Sequence, residues 1–113
     1  MPAFEPGDIV RVPFPYTNRE TTQHRPALVI SDGAIASGML LWVLMITSTA
    51  NRGWPGDVAI ETSADRTGLP APSMVRTLKV ATIETSSAER IGAVAASELA
   101  AVRQELAKIL SFG

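Results

Sequence analysis

One histidine occurs in the chain, in the stretch HRPALVIS, next to an arginine and a proline. Arg25 precedes Pro26, and the proline ring drives the residue before it into extended backbone, so the guanidinium leaves the chain in a fixed direction. A rigid fork of N–H donors suits bidentate binding of a phosphate better than a lysine ammonium does. The alternative use of Arg25 is an ion pair with Asp8 or Glu61. His24 could move a proton, although a lone imidazole in a polar segment more often meets only solvent. With no second histidine, paired-imidazole acid–base catalysis is excluded and a histidine-built zinc centre is disfavoured. The absence of cysteine removes thiolate nucleophiles, thiolate metal sites and disulfides. Walker-type phosphate loops, dinucleotide fingerprints and paired carboxylates at helical spacing are also missing.

A second cluster lies in ITSTANRGWPGD, residues 46–57. Here an apolar run ends abruptly in Thr47, Ser48 and Thr49. Hydroxyls at a strand end can donate to anionic oxygens, Arg52 can add charge, and Trp54 offers a face on which a base could stack. The plainer reading is a turn that starts with hydroxyl residues and a tryptophan covering the core edge. Farther on, Arg76 and Lys79 have opposite parity in a strand-like run. They share a site only if a bulge intervenes, and otherwise they are solubilising side chains.

Several elements must position these groups. GDIVRVPFPYT alternates with β-branched residues and predicts a strand over residues 8–14. TNRETTQH, residues 17–24, has no apolar side chain to bury and predicts a solvated loop. RPALVIS predicts a second strand, with its proline at the strand start. LLWVLMITS predicts a third, apolar on both sides and therefore central. Alternation in DVAIET, a proline-broken turn in GLPAP, and the runs SMVRTLKVATIE and RIGAVA supply the remaining strands. From Ser97 the period changes. Leu99, Val102, Leu106, Ile109 and Leu110 fall on one helical stripe, with Ser97 as N-cap and Gly113 after the last turn.

With 113 residues the chain is expected to form one domain over 1–113. It is 46% apolar and 19% charged, a make-up that folds rather than one that stays disordered. The net charge of -1 lacks the basic excess of a general nucleic-acid binder, so any phosphate site must be local. No secretory signal is read at the N-terminus. The longest apolar run, residues 39–46, is far below the ~20 residues of a membrane-spanning helix, so no membrane association is expected. A cytoplasmic location is compatible with the lack of cysteine.

GDIVRVPFPYT, a polar loop, RPALVIS and an apolar strand ending in ITS resemble, in that order, the MazF/PemK family of toxin endoribonucleases from bacterial toxin–antitoxin pairs. The likeness extends through VRTLKVATIE to the C-terminal helix. It implies a mainly β fold, a small SH3-like barrel of the PemK/CcdB type with a C-terminal helix, usually a homodimer. It also implies metal-independent, sequence-specific cleavage of single-stranded RNA (mRNA), no cofactor, and neutralisation by a cognate antitoxin. Catalysis would fall to Arg25 and Thr47, and RNA contact to Arg19, His24, Ser48, Arg52, Trp54, Arg76 and Lys79. Members with an arginine at the Arg76 position carry an acidic residue two positions later, where this chain has Leu78; His24 or a loop residue would fill part of that gap. Two alternatives share the scaffold: a gyrase inhibitor similar to CcdB acting through the end AKILSFG, and an inactive module that holds peptides at a barrel edge.

Overall fold

The computed structural model describes residues 4–15, 22–32 and 35–111. Strands β1 (Asp8–Pro15), β2 (Thr22–Val29), β3 (Leu40–Ser48), β4 (Val58–Ile60), β5 (Ser73–Glu84) and β6 (Glu89–Ala93) form one six-stranded antiparallel sheet in the order β4-β5-β3-β2-β1-β6. The sheet curls, and helix α2 (Ala96–Leu110) packs on it.

Side chains on a strand alternate between faces, and here both faces are covered. Val10, Val12, Ala27, Val29, Leu41, Val43 and Met45 build one buried cluster. Ile9, Leu28, Leu44, Ile46 and Val75 build the other, closed by Leu69 and by Val102 of α2. This is why LLWVLMI lacks alternation: β3 lies between β2 and β5 with core on both sides. Trp42 is the exception and stays exposed.

The fold corrects some expectations. Residues 22–24, read as loop, belong to β2, which pairs with β1 from Thr22↔Pro15 onward; cross-strand pairing overrides their polar composition. Pro26 is therefore inside a strand, and it is tolerated where pairing with β3 stops at Ala27. The N-cap of α2 is Ala95, not Ser97. Glu98 takes over the capping role by accepting the Ala95 N–H at 3.2 Å. At the other end Ser111, not a glycine, adopts the left-handed conformation (φ 51°); Gly113 lies outside the described residues. A short helix α1 (Ala64–Thr67) had no sequence signal beyond Gly68, whose φ of +73° lets the chain leave it. A turn at Ile35–Gly38, with Ala36 and Ser37 in the left-handed region (φ 51° and 61°), and a single 3-10 turn at Thr85–Ser87 were likewise unanticipated.

Candidate active site

The register of β2 against β3 (Val29↔Val43, Leu28↔Leu44, Ala27↔Met45) sets the site. The pairing ends at Ala27↔Met45, so Arg25 on β2 and Thr47 on β3 each lie two residues beyond the paired span. They line one open cleft of about 350 Å³, together with Met45, Ile46, Asn51, Arg52, Trp54, Arg76 and Lys79.

Arg76 and Lys79 reach this cleft through the irregularity that their parity required. Between Ile46↔Val75 and Leu44↔Val80, Met45 alone on β3 faces Arg76, Thr77, Leu78 and Lys79 on β5. The extra residues break the alternation, so Arg76 and Lys79 line the same cleft while Leu78 turns to an apolar groove with Trp42 and Val80. Arg76 is not the solvated side chain expected of a strand arginine: only 6% of it is exposed. Its Nη2 donates to the Arg52 carbonyl at 2.6 Å, and its guanidinium carbon lies 4.1 Å from the centroid of the Trp54 ring. Nη1 is buried and finds no partner among the described residues. Trp54 is thereby stacked from one side and still 43% exposed. Its backbone N–H donates to Asp57 Oδ2 at 2.8 Å, which folds the loop back towards β4.

The turn after β3 is self-supporting. Asn51 N–H donates to the Ser48 carbonyl and Ala50 N–H to Ser48 Oγ, both at 3.0 Å. This returns the Asn51 side chain over the strand end, where Nδ2 donates to Thr47 Oγ1 at 2.6 Å. Ser48 thus serves the turn and does not line the cleft. His24 does not line it either; it has parity opposite to Arg25 and is exposed. Arg19 lies outside the described residues. The bond of Asn51 to Thr47 was not anticipated, because a side chain folding back four residues onto a hydroxyl leaves no periodic signal.

Chemically, the cleft gathers the cations Arg25, Arg52, Arg76 and Lys79 with hydroxyl and amide donors and an aromatic face, and among the described residues no carboxylate lines it. Such a site stabilises a polyanion and developing negative charge. Among the described residues no group of three or more His, Cys, Asp or Glu side chains could hold a metal ion. No described helix is long and apolar enough to cross a membrane.

A family model described as PemK-like, MazF-like toxin of type II toxin-antitoxin system matches residues 5–110. The chain belongs to this family. Among solved structures, MazF from Deinococcus radiodurans is similar over 99% of this chain and 100% of its own (26% identity, TM-score 0.77). A MazE-MazF complex from the same organism matches over 97% of this chain and 98% of that one (26% identity, TM-score 0.77). An endoribonuclease in complex with its cognate antitoxin from a mycobacterial species has the same fold, covering 100% and 98% of the two chains at 19% identity and a TM-score of 0.75. Comparison with curated proteins returns no significant match. The mainly β fold with a C-terminal helix expected from the MazF/PemK resemblance is therefore the observed one, and the family match does not favour the CcdB-like alternative.

Proposed function

We propose that this MazF/PemK-family protein is a metal-independent endoribonuclease that cuts single-stranded RNA at a preferred sequence and is held inactive by a cognate antitoxin in the cytoplasm. One observation carries the reading: Arg25 and Thr47 open into a single cleft lined by further cations and, among the described residues, by no carboxylate. Family membership and the fold shared with MazE-MazF complexes support it.

In this reading the substrate's own 2′-hydroxyl attacks the adjacent phosphorus and the 5′ oxygen leaves, giving a 2′,3′-cyclic phosphate and a 5′-hydroxyl end. No protein nucleophile is needed. The protein's task is to stabilise the crowded, more negative phosphorane and to ease the departure of the leaving oxygen. Arg25 does this by charge and by fork-shaped donation, and Thr47 holds a phosphate oxygen. Arg52, Arg76 and Lys79 receive neighbouring backbone phosphates, and the free face of Trp54 stacks an unpaired base, the means by which single strands are read. His24 and Ser48 contact RNA outside the cleft in a peripheral role, and Arg19 adds a further contact.

The protein works as a homodimer. Trp42, Leu78, Val80, Ile109 and Leu110 form a contiguous apolar groove between β3, β5 and α2, each residue about half exposed or more. A patch of that kind is rarely left open to water, and a second copy of the same surface would cover it. The antitoxin would lie across Arg25 and Thr47.

The test is incubation of the purified protein with mixed-sequence single-stranded RNA in the presence of a chelator. Cuts at a recurrent sequence, with cyclic phosphate ends, are expected. Arg25→Ala should slow them by about 2.7–4 kcal/mol of transition-state stabilisation, the range for one preorganised donor. No cleavage, or cleavage that survives in Arg25→Ala, would overturn the reading.

A further inference from the structure

We infer that Asn51 is a positioning residue that fixes the direction in which the Thr47 hydroxyl donates. The inference rests on the nuclease reading above and adds to it a residue to which that reading had assigned no role.

The argument starts from the hydroxyl itself. Thr47 Oγ1 can donate one hydrogen and accept others, and its O–H rotates to suit its surroundings. A hydroxyl that must bond a phosphate oxygen, which only accepts, has to present its hydrogen to the cleft. Asn51 Nδ2 donates to Thr47 Oγ1 at 2.6 Å, so the amide occupies the accepting side of the oxygen. The hydrogen then cannot be spent on Asn51, and both residues line the same cleft. Preorganising a donor in this way removes the cost of turning it during the reaction.

The turn supplies the rigidity this role needs. Ser48 holds it from both its carbonyl and its hydroxyl, through Asn51 N–H and Ala50 N–H. Thr49 N–H adds a bond at 3.0 Å to the Pro72 carbonyl, anchoring the turn to the segment that leads into β5. The amide therefore stands on a supported scaffold rather than on a free loop, and its side chain is exposed, outside the core.

A double-mutant cycle in single-turnover RNA cleavage tests the inference. Asn51→Ala is expected to lower the rate of the chemical step by about tenfold or more, with the melting temperature unchanged. Asn51→Asp should be worse, because a carboxylate accepts only and would draw the Thr47 hydrogen away from the cleft. In a Thr47→Val background the further change Asn51→Ala should have less than about a twofold effect, since the group it acts through is gone. Losses that multiply in the double variant, or an Asn51→Asp protein as active as wild type, overturn the inference while leaving the nuclease reading intact. A wild-type protein that cuts no RNA overturns the nuclease reading, and the inference with it.

Discussion

Glu98 offers a test of the fold that is independent of any activity. Its Oε2 accepts the backbone N–H groups of Glu61 and Thr62, and its Oε1 accepts the Thr62 hydroxyl and the Ala95 N–H. One carboxylate thus caps α2 and ties it to the segment after β4. Glu98→Gln keeps the shape but offers a single acceptor oxygen, so the donors on one side meet an NH2 group instead. Hydrogen bonds to a charged acceptor contribute about 1.5–3 kcal/mol each, and water recovers part of the loss at this half-buried position, so about 2–3 kcal/mol should be lost. That corresponds to a fall of roughly 8–12 °C in Tm at about 4 °C per kcal/mol. The pH dependence adds a second signature. Burial pushes the Glu98 carboxyl up, but donation from the Thr62 hydroxyl and from the N–H groups of Glu61, Ala95 and Thr62 outweighs it and leaves the pKa below the ordinary value of 4.5. A carboxyl whose folded pKa is depressed contributes stability that is complete above its unfolded pKa and is lost as pH falls through the folded one. The gap between wild type and Glu98→Gln should therefore be widest at neutral pH and shrink below the ordinary glutamate value. Urea denaturation at a series of pH values from neutral to acid measures it. A gap of the same size at every pH, or none, would refute the reasoning.

Other expectations follow from single features. A Cβ on Gly68 would sit 2.3 Å from the Ile91 carbonyl oxygen, and one on Gly92 2.3 Å from the Thr67 carbonyl, because α1 and β6 are pressed together backbone to backbone. Alanine at either position should cost about 1–3 kcal/mol in denaturant unfolding, more at Gly68 because of its positive φ. Val80→Lys, at a position 61% exposed, should leave the fold intact but put an uncompensated charge in the apolar groove. Sedimentation should then show a monomer, and a wild-type mass in that variant would rule the groove out as the dimer surface. Removing one phosphate contact by Lys79→Ala should lower the salt dependence of single-stranded RNA binding by about 0.7 in the log–log slope, as titration at several salt concentrations would show.

Much of the sheet was legible because apolar and β-branched runs bounded by turn residues give a clear strand signal. LLWVLMITS and SMVRTLKVATIE coincide with β3 and β5 residue for residue, since each apolar run is ended by hydroxyl residues or by prolines. Boundaries set by partners rather than by composition were not legible. Residues 22–24 are polar and become strand only because β1 runs beside them. Ser97 has the chemistry of an N-cap, yet Glu98 reaches back and makes Ala95 the cap. Within the site, the direction of Arg25 and the strand-end hydroxyl at Thr47 could be read from neighbouring residues. The burial of Arg76 could not, because it depends on a local excess of residues in β5 relative to β3, and a register difference is a property of two strands together. The bond of Asn51 to Thr47 escaped for a similar reason: it exists only once the turn has closed.

That local excess in β5 has an evolutionary corollary. Arg76 and Lys79 serve the cationic cleft, while Leu78 between them faces the apolar groove. Deleting or inserting one residue in this span would disturb the two allocations, sending a cation towards the groove and an aliphatic group towards the cationic cleft. Homologues should therefore hold the spacing from Val75 to Val80 constant, so that gap-free length is a trace selection leaves here beside the residue types themselves.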